Sequence, residues 1–282
     1  MPIQLRVTAS RANKGQAKMK VVLFCGGLGT RIRDYSENIP KPLVPIGSRP
    51  ILVNLMRYYA HFGHKDFVLC LGYRADAIKQ YFLEYNEAMS NDFVLTKGGR
   101  EIELLQRDID DWTITFVDTG LHANIGERLL AVQKHLAGEE VFLANYSDGL
   151  SDLRLPGYID TFLRTDCVAQ LLSVPAPHAF HIVEADSNAL VTGLVHVGES
   201  SVRINGGYFV FRREIFDYIR PGEELVIEPF RRLIEKSKLR AHPYDGFWAS
   251  MDTFKDRQYL EGLAGGGAAP WEVWKNNGGV PR

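Results

Sequence analysis

The chain has 282 residues, with 33 Lys plus Arg against 34 Asp plus Glu and a formal net charge of −1. That balance excludes a basic nucleic-acid clamp and a polybasic membrane anchor. Hydrophobic residues at 45% and charged residues at 24% give globular composition, with no apolar run near the ~18 residues of a membrane helix.

The first 18 residues carry Arg6, Arg11, Lys14 and Lys18 but no apolar core. They read as a disordered basic tail, not a secretory signal, with Met19 an alternative start. Residues 20–25 (KVVLFC) form an apolar run ending in Gly26-Gly27-Leu28-Gly29, the pattern of a buried parallel strand feeding a loop. Pro50 opens a helix whose Ile51, Leu52, Leu55, Met56, Tyr59 and Phe62 fall at helical spacing, with Gly63 as its stop. Residues 66–71 read as a second buried strand and 75–85 as a helix. Residues 93–95 and 102–104 read as a hairpin across Lys97-Gly98-Gly99-Arg100. A strand at 113–117, a helix at 126–136 and a strand at 141–145 follow, the last running into Ser147-Asp148-Gly149. The second half is more β-rich, with strands at 168–174, 190–196 and 207–211 and helices at 213–219 and 227–237.

This alternation predicts one α/β domain over residues 19–264, with a Rossmann-like, mostly parallel mixed sheet and helices on both faces. Ligands of such sheets bind beyond the carboxyl ends of the strands. The polar residues after Cys25, Leu71, Val117 and Asn145 are therefore the ones expected to matter. Residues 265–282 read as a glycine-rich tail carrying Trp271 and Trp274, docking on a neighbouring subunit or on the body of the fold. Cys25, Cys70 and Cys167 are odd in number, widely spaced and without a CxxC pair. They argue against a disulfide framework or zinc site, and Cys25 and Cys70, inside apolar runs, fit buried thiols in a reducing cytoplasm.

The loop GGLGTR (26–31) lets the backbone approach phosphates, and Arg31 adds a fork of donors. It is not a Walker A loop, because no Gly-Lys-Ser/Thr follows. It misses the dinucleotide fingerprint, because the third glycine position, counted from Gly27, is Ile32. Lys41 lies between Pro40 and Pro42 on an expected extended, stiffened backbone, a cation held toward the same phosphates.

Taken in order, GGLGTR, PKPLVPIG and RPIL resemble the signature of sugar-1-phosphate nucleotidylyltransferases. LGYRADAIKQYF, FVDTGLHANIGERL, YSDGLSDL, INGGYFVF, EPF, GFWASMDTFKD and APWEVW resemble the glucose-1-phosphate cytidylyltransferase branch of that family. The matches span residues 20–274. The resemblance implies a nucleotide-diphospho-sugar transferase type of fold. It implies transfer of a nucleoside monophosphate from an NTP to a sugar 1-phosphate, releasing pyrophosphate, with CTP and glucose 1-phosphate the favoured pair. It implies that Asp148 and Asp252 hold Mg2+, and that Arg31, Lys41 and Asp148 carry the chemistry. Gly26, Gly27, Gly29, Thr30, Arg31, Lys41, Gly72, Tyr73 and Gly126 would line the nucleotide. Asn205, Gly206, Gly207 and Glu228 would bind the sugar. A cytoplasmic homo-oligomer with no nucleic-acid or membrane partner is implied as well.

One segment departs from the family. Its members carry a Glu-Lys-Pro before Asn-Gly-Gly, and that lysine binds the sugar phosphate. Here the stretch is LVHVGESSVRINGG (194–207), without lysine. Arg203 is its permanent cation and a candidate for the sugar phosphate, and His196 is a titratable one. His178, Phe180 and His181 are further candidates nearby. Two other readings stand beside this one. A glycosyltransferase would want an Asp-x-Asp pair, which Ser147-Asp148-Gly149-Leu150 does not provide. A non-catalytic nucleotide- or sugar-sensing module would not need to keep Lys41, Asp148 and Asp252.

Overall fold

β1 (Lys20–Phe24) has no polar face. Val21 and Leu23 enter one core, Val22 and Phe24 enter a second, and all four are buried. A strand covered on both sides requires such an apolar run. The computed structural model describes residues 18–27, 39–176, 181–267 and 269–275. The chain continues through β2 (Pro45–Ile46), β3 (Arg49–Pro50), α1 (Ile51–His61), β4 (Asp66–Leu71), α2 (Ala75–Leu83) and α3 (Glu87–Ser90). β5 (Phe93–Thr96) and β6 (Glu101–Leu104) form a ribbon. Then come β7 (Thr113–Asp118), α4 (Ile125–Val132), β8 (Val141–Tyr146), β9 (Gly149–Ser151), α5 (Leu155–Leu163) and β10 (Ala169–Pro175). A second ribbon, β11 (His181–Ala185) with β12 (Val191–His196), precedes β13 (Arg203–Arg212), α6 (Glu228–Glu235), β14 (Leu239–Pro243), β15 (Trp248–Ser250) and α7 (Phe254–Gly265).

Seven strands form the main sheet in the order β14-β10-β13-β8-β1-β4-β7. β13 is antiparallel to both neighbours and every other pair is parallel. The sheet is therefore mixed and mostly parallel, as the alternation predicted. One face packs on α1 and α5, through residues such as Leu55, Tyr59, Ile159 and Phe162. The other packs on α4 and α6, through Leu129, Val132, Phe230 and Leu233.

Several local expectations change. β13 begins at Arg203, not at 207, because Arg203–Asn205 pair with β10 beyond the end of β8. Pairing overrides the poor strand propensity of Asn-Gly-Gly there. The strand expected at 190–196 leaves the sheet and pairs with β11 instead. The sequence analysis assigns no element to residues 155–163, where α5 forms. Proline is tolerated in the first helical turn, and Tyr158, Ile159 and Phe162 anchor the helix in the core. Residues 213–218 and 133–136 are 3-10 turns where α-helix was expected. In the C-terminal tail Trp271 is 1% exposed and packs on Phe247, while the Arg57 guanidinium lies 4.5 Å over the Trp274 ring. These tryptophans dock on the body of their own chain. Residues 1–17 of the expected basic tail lie outside the described residues.

Candidate functional site

The carboxyl ends of β1, β4 and β7 meet at one buried cation. Arg128, on α4, is 3% exposed. Its guanidinium donates to the carbonyls of Gly26 (3.0 Å) and Leu71 (3.1 Å) and to Oγ1 of Thr119 (2.7 Å). That clamp dictates the glycines around it. A Cβ on Gly26 would lie 2.0 Å from the Arg128 guanidinium. A Cβ on Gly72 would lie 2.9 Å from both that group and the Gly26 carbonyl. Side chains there would displace the arginine. A Cβ on Gly27, by contrast, would meet nothing within 4 Å among the described residues. Beside Gly26, burial pushes the Cys25 thiol up to about 12, with Ser147 and Arg128 acting weakly the other way. Tyr73 follows Gly72 in the loop before α2. Gly126 has a packing reason instead, since a Cβ there would lie 2.2 Å from the Glu223 carbonyl.

Two aspartates distant in sequence meet because their strands pair. β9 and β15 form an antiparallel ladder in which Gly149 faces Ser250. The Met251 N–H donates to the Asp148 carbonyl at 2.9 Å. Asp148 follows β8, and Asp252 precedes the Thr253 cap of α7. Their carboxylates converge on Lys41 Nζ, which donates to Asp148 Oδ2 at 2.6 Å and Asp252 Oδ1 at 2.8 Å. Ser250 Oγ donates to the other Asp252 oxygen at 3.0 Å. Burial opposes the Lys41 charge, yet the two carboxylates hold its pKa above the ordinary lysine value. Lys41 opens a 3-10 turn, Lys41–Leu43, after an extended Pro40, so the extended backbone expected there ends one residue sooner.

That geometry tests the donor set for a divalent cation. Two carboxylate oxygens already share one cationic point, and Lys41 Nζ stands where such an ion would be held. Among the described residues no group of three or more His, Cys, Asp or Glu gathers around a metal position. Two carboxylates with the remaining positions left to phosphate oxygens and water is a normal set for Mg2+. Asp148 and Asp252 fit it.

The start of β13 lies beside this cluster. Asn205 Oδ1 accepts from the Gly207 N–H at 2.9 Å. Gly207 has φ +74°, and a Cβ on it would sit 2.5 Å from the Tyr146 ring, so glycine is required. The Trp248 indole donates to the Gly206 carbonyl at 2.8 Å, tying β15 to Asn205-Gly206-Gly207. Glu228 opens α6, and its carboxylate accepts from the Glu224 N–H at 3.2 Å. Arg203 makes four hydrogen bonds. It donates to the carbonyls of Ser173 (2.7 Å) and Tyr244 (2.8 Å), to Ser173 Oγ (3.2 Å) and to Asp245 (2.8 Å). It pins β10 to the segment after β14. Gly29, Thr30, Arg31, His178 and Phe180 lie outside the described residues.

The structure thus brings Lys41, Asp148 and Asp252 together, with Gly26 and Gly72 at the neighbouring strand ends. Arg128 and Trp248 were not singled out from the sequence, although both lie within segments carrying the family resemblance. An arginine at helical spacing reads as a solvated face; only the glycines opposite it hint at burial.

Comparison with known proteins identifies the family. The family model described as nucleotidyl transferase matches residues 20–256. Glucose-1-phosphate cytidylyltransferase of Salmonella typhi is 35% identical over 258 residues, covering 91% of this chain and 100% of that protein. UDP-glucose pyrophosphorylase, solved with UDP-glucose, superposes with a TM-score of 0.66 at 14% identity, covering 89% of this chain and 100% of that one. HddC of Yersinia pseudotuberculosis superposes with a TM-score of 0.62 at 21% identity, covering 86% and 98%. With a family model matched across most of its length and a full-length relative above 30% identity, the chain belongs to the nucleotidyl transferase family.

Proposed function

We propose that this enzyme transfers the cytidylyl group of CTP to glucose 1-phosphate, giving CDP-glucose and pyrophosphate. The observation that carries it is the convergence of Asp148 and Asp252 on Lys41 at the carboxyl edge of the sheet. The 35% identity to a glucose-1-phosphate cytidylyltransferase along that protein's whole length supports the substrate pair.

The acceptor phosphate oxygen attacks the α-phosphorus in line, and the bond to the leaving pyrophosphate breaks. A phosphate monoester dianion is already a nucleophile, so no side chain must deprotonate it. The protein's work is to position two mutually repelling anions and to neutralise charge on the non-bridging oxygens. Asp148 and Asp252 would hold Mg2+, which when bound supplies that neutralisation at the triphosphate. Lys41, released from the carboxylates, turns its ammonium to the phosphates. Gly27, with no described residue within 4 Å of where a Cβ would sit, lets the loop backbone approach them, and Arg31 and Thr30 add donors from the same loop. Gly29, Gly72 and Tyr73 border the nucleotide. Asn205, Gly206, Gly207 and Glu228 bind the sugar.

The enzyme works in the cytoplasm as a homo-oligomer. Among the described residues no helix is long and apolar enough to cross a membrane. Both ribbons leave apolar side chains in solvent, among them Leu95, Ile102, Val191 and Leu194, each more than half exposed. Two-stranded ribbons are marginal alone in water, and a second copy would cover them. They are a better interface than the tail, whose Trp271 is buried in its own chain.

The test is a pyrophosphate-release matrix with Mg2+, pairing CTP, UTP, dTTP, GTP and ATP with several sugar 1-phosphates. Signal at CTP with glucose 1-phosphate is expected. Signal only at another pair would change the substrates and keep the chemistry. Silence throughout would overturn the reading.

A further inference from the structure

A phosphate monoester acceptor needs donors on its own half of the cleft. β10 and β8 both run antiparallel to β13, so they end on the same side of the sheet. Between Pro175 and Arg203 the chain leaves that side and returns to it. Both ends of the excursion, joined by the Ala176 N–H to Val202 carbonyl bond at 3.2 Å, therefore lie on the side that carries Asp148 and Asn205. Its ribbon closes at the register pair His181 and His196. His181 begins β11 and His196 ends β12, so the two imidazoles sit at the base of the ribbon and not at its tip. Their rings meet edge to face, with centroids 5.4 Å apart.

The hydrogen bonding of His196 fixes where its proton lies. Nδ1 accepts from the Gly198 N–H at 3.2 Å and caps the 3-10 turn Val197–Glu199. A neutral imidazole accepting at Nδ1 carries its proton on Nε2. Among the described residues nothing accepts from that N–H. Arg203, the permanent cation of the segment, has four of its five donors committed to Ser173, Tyr244 and Asp245. The ribbon base therefore offers an imidazole donor in a lysine-free segment whose one permanent cation is largely committed.

We propose that Nε2–H of His196 binds the phosphate of the sugar 1-phosphate acceptor, with the His181 ring holding its orientation. The inference rests on the proposed nucleotidyl transfer and names the acceptor-binding group.

Steady-state kinetics test it, using CTP, Mg2+ and glucose 1-phosphate, or whichever sugar 1-phosphate the matrix identifies. His196→Asn keeps an oxygen able to accept from Gly198 and deletes the outer donor. The KM for the sugar phosphate should rise roughly tenfold to a hundredfold, with the KM for CTP unchanged. His196→Lys, which restores a reaching donor, should return most of the loss. His181→Ala should give a smaller rise of the same kind. An unchanged sugar-phosphate KM in His196→Asn, or equal rises in both KM values, overturns the assignment while leaving the transfer reaction standing. A wild-type enzyme that turns over no sugar 1-phosphate overturns the reaction itself, and this inference with it.

Discussion

The proposed nucleotide half and the proposed acceptor half of the site use their arginines alike and their remaining donors differently. On the nucleotide half, Arg128 is buried and bonded to the carbonyls of Gly26 and Leu71. On the acceptor half, the more exposed Arg203 is bonded to the carbonyls of Ser173 and Tyr244. Both are part of the frame. Lys41 differs because its partners are two carboxylates, which can exchange it for a metal ion. His196 differs because one ring nitrogen caps the chain and the other has no hydrogen-bond partner among the described residues. A cation bound to backbone carbonyls holds a strand; one bound to carboxylates, or a donor left uncommitted, can serve a ligand. Counting charges in a segment does not separate these cases.

That contrast can be broken experimentally, starting with the largest effect. Asp148→Asn or Asp252→Asn should lower turnover by roughly a hundredfold or more and leave thermal unfolding nearly unchanged. Full activity in either would remove the metal assignment. Lys41→Ala should also lose most turnover, by roughly a hundredfold. Calorimetry on this variant without nucleotide should show tighter Mg2+ binding than in the wild type, because the competing ammonium is gone. Unchanged or weaker binding would mean that Lys41 does not occupy the cation position.

The frame predictions are smaller and concern stability. Gly26→Ala should cost about 1–3 kcal/mol, because its Cβ must displace the Arg128 guanidinium. Gly27→Ala, with no described residue within 4 Å of its Cβ, should stay within about 0.5 kcal/mol. Chemical denaturation of the two variants side by side measures the difference, and equal values would deny Arg128 its clamp. The smallest change is expected from Arg203→Gln. It should cost about 1 kcal/mol in denaturation and leave the sugar-phosphate KM where it was. A large rise in that KM would return the phosphate to Arg203.

Much of this was legible in the sequence. The run KVVLFC, the helix from Ile51 and the strands near 66, 113 and 141 appear where apolar periodicity put them, because burial on two faces leaves few alternatives. Asp148 and Asp252 were paired only through family resemblance, since 103 positions separate them along the chain. No local pattern shows that β9 and β15 would lie side by side. α5 was hidden by Pro156-Gly157, and the ribbon β11–β12 by a strand pattern that does not say which sheet it joins.

The sequence by itself determined the alternating α/β order, the glycine-rich turn after the first strand, the Pro-Lys-Pro cation and the absence of lysine between 194 and 207. These are local properties, set by periodicity, backbone freedom and residue type. Only the tertiary structure decided which cations are committed. Whether an arginine faces water, a carbonyl or a carboxylate depends on strands brought together from far along the chain. Arg128 beneath Gly26, Arg203 against Tyr244 and Lys41 between two aspartates are contacts of that kind.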